Sequence, residues 1–484
     1  MNEHEVDVNA GTIAGRRRGP ITQWLGVPYA APPVGNLRFR SPDPVPPWTG
    51  TRSATQLGHA ATQSGSLTTP LRQLGGVAED CLYLNLYAPS APGAPRPVLV
   101  WIHGGAFTGG SGGLYDGSEL AELGDLVVVT VNYRLGVFGF ADLAAVTDAD
   151  VPSNLGLRDQ IAALEWVRDN IAAFGGDPDR VTVAGESAGS ISVALLTTAS
   201  QTAGLFRAAI MQSGSYTLIH GPEVSLEVAH RYAAELQLGP DAGRRLRELP
   251  AAQLLAAQVT VAKAVRNTLP AAPWFDDDIV PASVDAARAV PRPEIALLAG
   301  HTHDEVSLFH LLPGDIMPTT RPAITARLHE ALGAERTAAI LAAYPSSPTG
   351  LRALGTDVNF ALGTQGYANR HQAAGGSTYF YRFDAAVPVL GATHASELPY
   401  LWGWSGLSAV LLRGRLTPER RELGTRLRDH WVAFVRDLSP GPGWPVFGED
   451  RATMIFDPHG DRVEHDPSRV RRTVWAGAEV MPRA

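Results

Sequence analysis

The feature that most constrains this chain is the pentapeptide Gly185-Glu186-Ser187-Ala188-Gly189, set between a short apolar run, Val181 to Ala184, and a stretch of small and branched residues, Ser190 to Thr197. Read together, they predict a buried strand, a sharp turn and a helix. Such a reversal forces the serine into a strained backbone conformation that glycine and alanine neighbours tolerate, and it lifts the hydroxyl clear of a sheet at a helix N-terminus. A glycine-rich turn with no chemistry is the competing reading of the pentapeptide alone. The pattern demands strands alternating with helices. Val98 to Ile102 and Leu126 to Val131 are solid apolar runs of the kind buried on both faces of a sheet. Between them and Val181, Asn154 is placed to cap a helix whose apolar positions Leu157, Ile161, Leu164, Val167 or Trp166, and Ile171 keep helical spacing until Gly175-Gly176.

From about 215 to 295 the sequence turns rich in alanine, leucine and arginine, with Val224, Val228, Tyr232 and Leu236 four apart, which predicts a helical insertion. Ile295 to Ala299 and Tyr379 to Phe383 read as further strands, separated by helical sequence such as Ile324, Leu328 and Leu332 before Gly333. Thr417 with Pro418 opens a last long helix carrying Leu423, Leu427, Trp431, Phe434 and Leu438. No linker with a composition shift on both sides interrupts the chain. The expectation is one α/β domain over 1–484 with a mostly parallel central sheet and a single core, and with helical insertions at about 215–295 and 310–375 forming a cap over the site.

Composition excludes several alternatives. With 45% of 484 residues apolar, a large core is affordable, yet no apolar run approaches the roughly 20 residues that cross a bilayer, so no membrane partner is expected. The net charge of −8 carries no long like-charge runs, which argues against nucleic acid. Arg16-Arg17-Arg18 is followed by Pro20, Gln23, Trp24, Gly26 and Pro28, where an export signal needs an unbroken apolar stretch. A single cysteine, Cys81, closes no intramolecular disulfide, and the reading is a cytoplasmic protein.

The strand Val98 to Ile102 delivers His103-Gly104-Gly105-Ala106-Phe107, where small residues let backbone N–H groups approach a ligand and form an oxyanion hole. The rival is a phosphate cradle. That requires a Gly-Lys-Ser/Thr ending, and Lys263 is the first lysine in the chain. Lys263 has Thr260, not serine, three residues before it, which removes the Ser-x-x-Lys hydrolases. A nucleophilic Ser187 therefore needs a histidine base.

At this point the sequence resembles the type B carboxylesterase family, which includes the cholinesterases, within the α/β-hydrolase fold. The likeness runs through Leu25-Gly26-Val27-Pro28-Tyr29-Ala30, Pro32-Pro33-Val34-Gly35, Glu79-Asp80-Cys81-Leu82, the His103 loop, Asn132-Tyr133-Arg134, Phe174-Gly175-Gly176-Asp177-Pro178, the Ser187 turn and Met211-Gln212-Ser213-Gly214. It is dense from about 21 to 216, thins through the insertion, and returns at two segments. Gly300-His301-Thr302-His303-Asp304-Glu305 is similar to the family's acid segment, with Val306 where glycine is usual, and places the triad acid on Glu305 rather than Asp304. Gly391-Ala392-Thr393-His394 is similar to the histidine segment and places the base on His394.

The resemblance implies a serine carboxylesterase acting on aryl or alkyl esters, with carbamates within the same chemistry, through a Ser187–His394–Glu305 triad and an acyl-enzyme. It assigns oxyanion donation to the N–H groups of Gly105, Ala106 and Ala188, and needs no cofactor and no metal. Phe107, Leu269 and Phe309, with Trp402 and Trp404, are candidates for an apolar substrate pocket, and core packing is the alternative for each. Two other functions compete. A metal hydrolase would use His301 and His303, although their spacing matches no common zinc motif. A catalytically silent, neuroligin-like binding protein would lack a working triad and carry disulfides, whereas Cys81 stands at the family's usual disulfide position alone. The partner expected is a small ester; a monomer suffices for the chemistry and the sequence assigns no oligomeric state.

Overall fold

A computed structural model describes residues 4–65, 74–147, 151–289, 292–311, 316–403 and 417–478. Its centre is an 11-stranded sheet. In chain order the strands are β1 Arg16–Arg18, β2 Ile21–Pro28, β3 Tyr83–Pro89, β4 Arg96–Ile102, β5 Val127–Val131, β6 Gly176–Glu186, β7 Ala208–Gln212, β8 Ala296–Thr302, β9 Thr378–Phe383, β10 Ala452–Phe456 and β11 Arg462–His465. Across the sheet they lie in the order β11-β10-β9-β8-β7-β6-β4-β5-β3-β2-β1. From β5 to β10 all pairings are parallel; β1, β2 and β3 join antiparallel at one edge and β11 at the other.

The parallel strands are continuous apolar runs because both faces are covered. Along β4, Val98, Val100 and Ile102 enter one core, while Leu99 and Trp101 enter another on the opposite face. The first core is closed by α1 Leu155–Asn170, through Leu157, Ile161 and Leu164, and by α2 Ala188–Leu196, through Ile191 and Leu195. The second is closed by α3 Pro418–Asp437, through Leu423, Leu427 and Trp431. The single core expected from sequence is thus two, since one sheet cannot put both faces into the same cluster. The insertions add satellites of their own. Val224, Val228 and Tyr232 pack with Leu254 and Val261, and Ile324, Leu328 and Ile340 pack with Tyr344 and Trp475.

Local signals place most elements where the sequence puts them. Thr417 caps α3, its hydroxyl accepting from the Arg420 N–H at 3.4 Å, and Gly175 takes a left-handed φ of 78° where the turn after α1 must reverse. Asn154 departs from expectation. It precedes α1 at φ 47° without a side-chain cap. Its amide instead donates to the Trp274 carbonyl and to Asp276, both at 2.8 Å, and accepts from the Trp274 N–H at 3.1 Å. The side chain is spent on tethering the insertion, which outweighs one helix-end donor.

Candidate active site

Strand order concentrates chemistry at one edge. The chain leaves β4 for β5 on one side, while β6 lies on the other, so β4 and β6 bound a crevice at their carboxyl ends, the place where open α/β sheets bind ligands. Gly185 pairs with Ile102, so β6 and β4 end level and deliver Ser187 and the His103 loop side by side.

Ser187 has φ 57° and ψ −123°, a strained conformation for a residue with a side chain. Neighbouring glycines make it fit. A Cβ at Gly189 would stand 2.1 Å from the Ile102 carbonyl oxygen, and one at Gly104 would stand 2.7 Å from the Glu186 carbonyl oxygen and 3.1 Å from the Ser187 Cβ. The reversal is pinned by the Ser187 N–H donating to the Gln212 carbonyl and by the Ser187 carbonyl accepting from the Ile191 N–H, each at 2.9 Å. Buried residues flank Ser187 on both sides, whereas it is half-exposed.

Gly105, Ala106 and Phe107 follow one another at φ 120°, 54° and 57°. Gly105 tolerates nothing larger, because its Cβ would lie 2.0 Å from the Gly109 carbonyl oxygen. Among the described residues the N–H groups of Gly105 and Ala106 donate to no protein acceptor. Ala188, first residue of α2, contributes one of the helix-start donors that has no partner within the helix. His103 braces this loop. Its Nδ1 donates to the Gly104 carbonyl at 2.8 Å, its ring stacks on Tyr133 with centroids 4.5 Å apart, and burial pushes its pKa down to about 4.

Glu305 follows directly on β8, and His394 lies in the loop after the neighbouring strand β9. The His394 Nδ1 donates to Glu305 Oε2 at 2.5 Å, and Glu305 Oε1 accepts from the Thr302 N–H at 2.8 Å. Burial alone would raise the Glu305 pKa, but the imidazole beside it holds it below the ordinary carboxylate value. The other ring nitrogen, Nε2, is buried and lies 3.1 Å from Oε1 of Glu186, the residue before Ser187, without hydrogen-bond geometry. Nε2 therefore reaches the turn that carries the serine. Phe360 and Phe309 close over the imidazole, with centroids 4.6 and 5.0 Å away. Phe360 sits on a π-helical turn, Asp357–Ala361, a distortion that often marks functional sites.

Two further carboxylates stand near the imidazole. Glu186 and Glu397 are both buried, and burial raises both pKa values, reinforced at Glu397 by the Glu305 charge. Glu397 accepts from Gln212 Nε2 at 3.2 Å, and Gln212 accepts in turn from the Trp431 indole at 3.2 Å. The available signal was a glutamate closing an apolar strand and another one helical turn after His394. Burial lowers the pKa of His394, but Glu186, Glu305 and Glu397 together outweigh it and push the value up to about 9.

The remaining candidates fall in different places. Phe107 is fully buried with its ring 4.8 Å from that of Phe140, and Leu269 is packed in the same core cluster. Trp402 sits against Trp101 and Tyr115, at 4.9 and 5.4 Å between centroids; Trp404 lies outside the described residues. His301 is buried with Nδ1 on the Thr302 carbonyl at 2.9 Å, while His303 is half-exposed and pairs with Asp304 at 3.1 Å. Among the described residues no three His, Cys, Asp or Glu side chains converge as a metal site. Nor is any described helix long and apolar enough to cross a membrane.

The parallel sheet, its crevice and the strand–serine–helix turn define an α/β-hydrolase. The chain belongs to the carboxylesterase family, whose family model matches residues 2–475, and it is a carboxylic ester hydrolase. It is 37% identical to the para-nitrobenzyl esterase of Bacillus subtilis (strain 168), covering 98% of both chains, and 33% identical to the phenmedipham hydrolase of Pseudarthrobacter oxydans over 95% of this chain and 96% of that one. A solved PNB esterase superposes with a TM-score of 0.88 at 35% identity, covering 98% of this chain and 99% of the other. A Geobacillus stearothermophilus carboxylesterase gives 0.84 at 36% identity, covering 98% and 100%.

Proposed function

We propose that ester hydrolysis runs through Ser187 as nucleophile, His394 as base and Glu305 as the acid that orients it. The observation that carries this reading is the 2.5 Å bond from Glu305 to His394 Nδ1, which leaves Nε2 without a hydrogen bond at the serine turn. Ser187 attacks the ester carbonyl as Nε2 takes its proton; the imidazolium returns that proton to the departing alcohol, and water then releases the acid by the same route reversed. Negative charge on the tetrahedral oxygen falls to the N–H groups of Gly105, Ala106 and Ala188, preorganised in a loop that does not need to rearrange. Phe309, over the imidazole, supplies an apolar wall and favours aryl and alkyl esters, para-nitrobenzyl esters among them; carbamates undergo the same attack. Residues 215–295 and 310–375, with their own small cores, act as the cap of a single domain. The buried free thiol Cys81 fits a reducing, cytoplasmic setting, which fractionation of the native host checks.

Hydrolysis of p-nitrophenyl and naphthyl esters of rising chain length, followed by labelling with a serine-directed phosphonate and mass mapping, tests the assignment. The label should fall on the peptide containing Ser187, and Ser187→Ala should lose both label and turnover. A label elsewhere, or undiminished hydrolysis by that variant, would refute it.

A further inference from the structure

Two neighbouring acids hold the segment that carries His394. Glu305 takes the imidazole, and Asp304, one residue earlier, takes the main chain. The Asp304 N–H donates to the Ala392 carbonyl at 2.8 Å, and the Ala392 N–H donates back to Asp304 Oδ2 at 3.1 Å. Both polar groups of one main-chain position, two residues before the imidazole, therefore close on a single aspartate. The next tie along the chain, from the His394 N–H to the Glu305 carbonyl, is longer at 3.3 Å. The loop is gripped more tightly at Ala392 than at the histidine itself.

Both sides of this contact are shaped for it. Gly391 has φ 72°, and a Cβ there would stand 2.2 Å from Asp304 Oδ2 and 2.6 Å from its Cγ, so only glycine lets the chain lie against the carboxylate. Just upstream, Val387 and Gly391 exchange both N–H and carbonyl bonds, each at 2.9 Å, which closes residues 388–390 into a turn. The carboxylate is fixed in its turn. His303 Nδ1 lies 3.1 Å from Oδ2 and Arg352 Nε lies 3.7 Å from Oδ1, while the Asp304 carbonyl accepts from the Ser307 N–H at 3.0 Å. With its side chain 15% exposed, water does not readily replace the acceptor it offers to Ala392.

We propose that Asp304 is a positioning residue for hydrolysis: it sets where the histidine-bearing loop stands beside β8, while Glu305 sets the rotation and tautomer of the ring. The inference rests on the assignment of His394 as base. A single bond from Glu305 to Nδ1 aims the imidazole but leaves the loop that carries it to be placed by its main chain. Proton transfer needs heavy atoms within about 2.6–3.2 Å of each other, and a misplacement of about 1 Å costs about 10² in rate. The Asp304–Ala392 contact involves neither the oxyanion donors nor the phenylalanines over the ring. Its loss should therefore fall on kcat rather than on KM.

The test compares Asp304→Ala with Asp304→Asn in the full-length enzyme by p-nitrophenyl butyrate hydrolysis, with kcat expressed per active site titrated to completion by a serine-directed phosphonate. Unfolded molecules are not titrated, so a purely structural role leaves this quantity unchanged. Asp304→Ala, which loses the acceptor for Ala392, should lower kcat by roughly 10- to 100-fold with KM within about threefold. Asp304→Asn, whose amide oxygen takes the place of Oδ2, should recover kcat to within about fivefold of the unaltered enzyme. Gly391→Ala drives a methyl group into the same contact from the opposite side and should reproduce the kcat loss with Asp304 intact; it decides the matter if Asp304→Ala does not fold. Unchanged kcat per site in Asp304→Ala or Gly391→Ala, a loss carried by KM, or Asp304→Asn as slow as Asp304→Ala would each overturn the inference. His394→Gln, measured alongside, separates it from the reading beneath it. Full turnover in that variant removes both, whereas lost turnover there beside an unchanged Asp304→Ala removes the positioning role alone.

Discussion

His103 and His394 are both buried and follow a strand of the same sheet, yet their ionisation runs in opposite directions. His103 meets only a backbone carbonyl and a tyrosine ring, so desolvation wins and the ring stays neutral. His394 is as deeply buried but is surrounded by Glu186, Glu305 and Glu397, and attraction to those charges overrides the same penalty. Burial alone does not decide whether a histidine braces or reacts; what stands next to it does. On the proposed mechanism, the braced ring shapes the loop that receives negative charge, and the charged one moves protons.

The contrast is broken most severely by removing the reactive member. His394→Gln should lower kcat by about 10⁶, as Ser187→Ala should, if nucleophile and base act as a unit, measured as p-nitrophenyl ester turnover at fixed pH with Tm retained. Glu305→Gln keeps the shape but loses the charge that fixes the tautomer, and a kcat loss of about 10⁴ is expected. On the braced side, Gly105→Ala should cost about 10² to 10³ in kcat with little change in KM, because the loop loses its donor geometry rather than its substrate contacts. His103→Gln should instead show mainly as stability, about 1–3 kcal/mol by chemical denaturation, from the lost buried hydrogen bond.

The smallest expected effect sharpens the comparison through pH. A raised His394 pKa means that the imidazole is protonated, and unable to accept the serine proton, below that value. So kcat/KM should climb as pH rises through a limb lying above the ordinary histidine value of about 6.5. Glu186→Gln should move that limb downward by up to about one unit, equivalent to about 1.4 kcal/mol, and Glu397→Gln by less. A limb at or below 6.5 in the unaltered enzyme would show that the carboxylates do not govern the ring.

Elements with a local code were legible from sequence. The strands β4 and β6, the helix opened by Thr417-Pro418 and the serine turn each declare themselves through apolar runs, caps and glycines within a few residues. Glu305 and His394 carried no such code: one follows a strand and the other sits in a loop, and only likeness to a family tied them together before the strand register brought them into contact. Asn154 misled because a good capping residue was drawn to a partner 120 positions away. Glu186 and Glu397 escaped because their importance lies in a charge balance set by burial, and burial is a property of the folded sheet. Phe107 resembled a pocket residue for the opposite reason, since a left-handed backbone turns its ring into the core.

The adjacent pairs of strands that build the site also order it in time. A ribosome feeding out this polymer from its amino end synthesises Ser187 and the His103 loop well before the segment bearing His394. On the proposed mechanism, a growing chain would stay chemically idle until that segment joins the strands already made, so its reactivity would depend on closure of the last third of the fold.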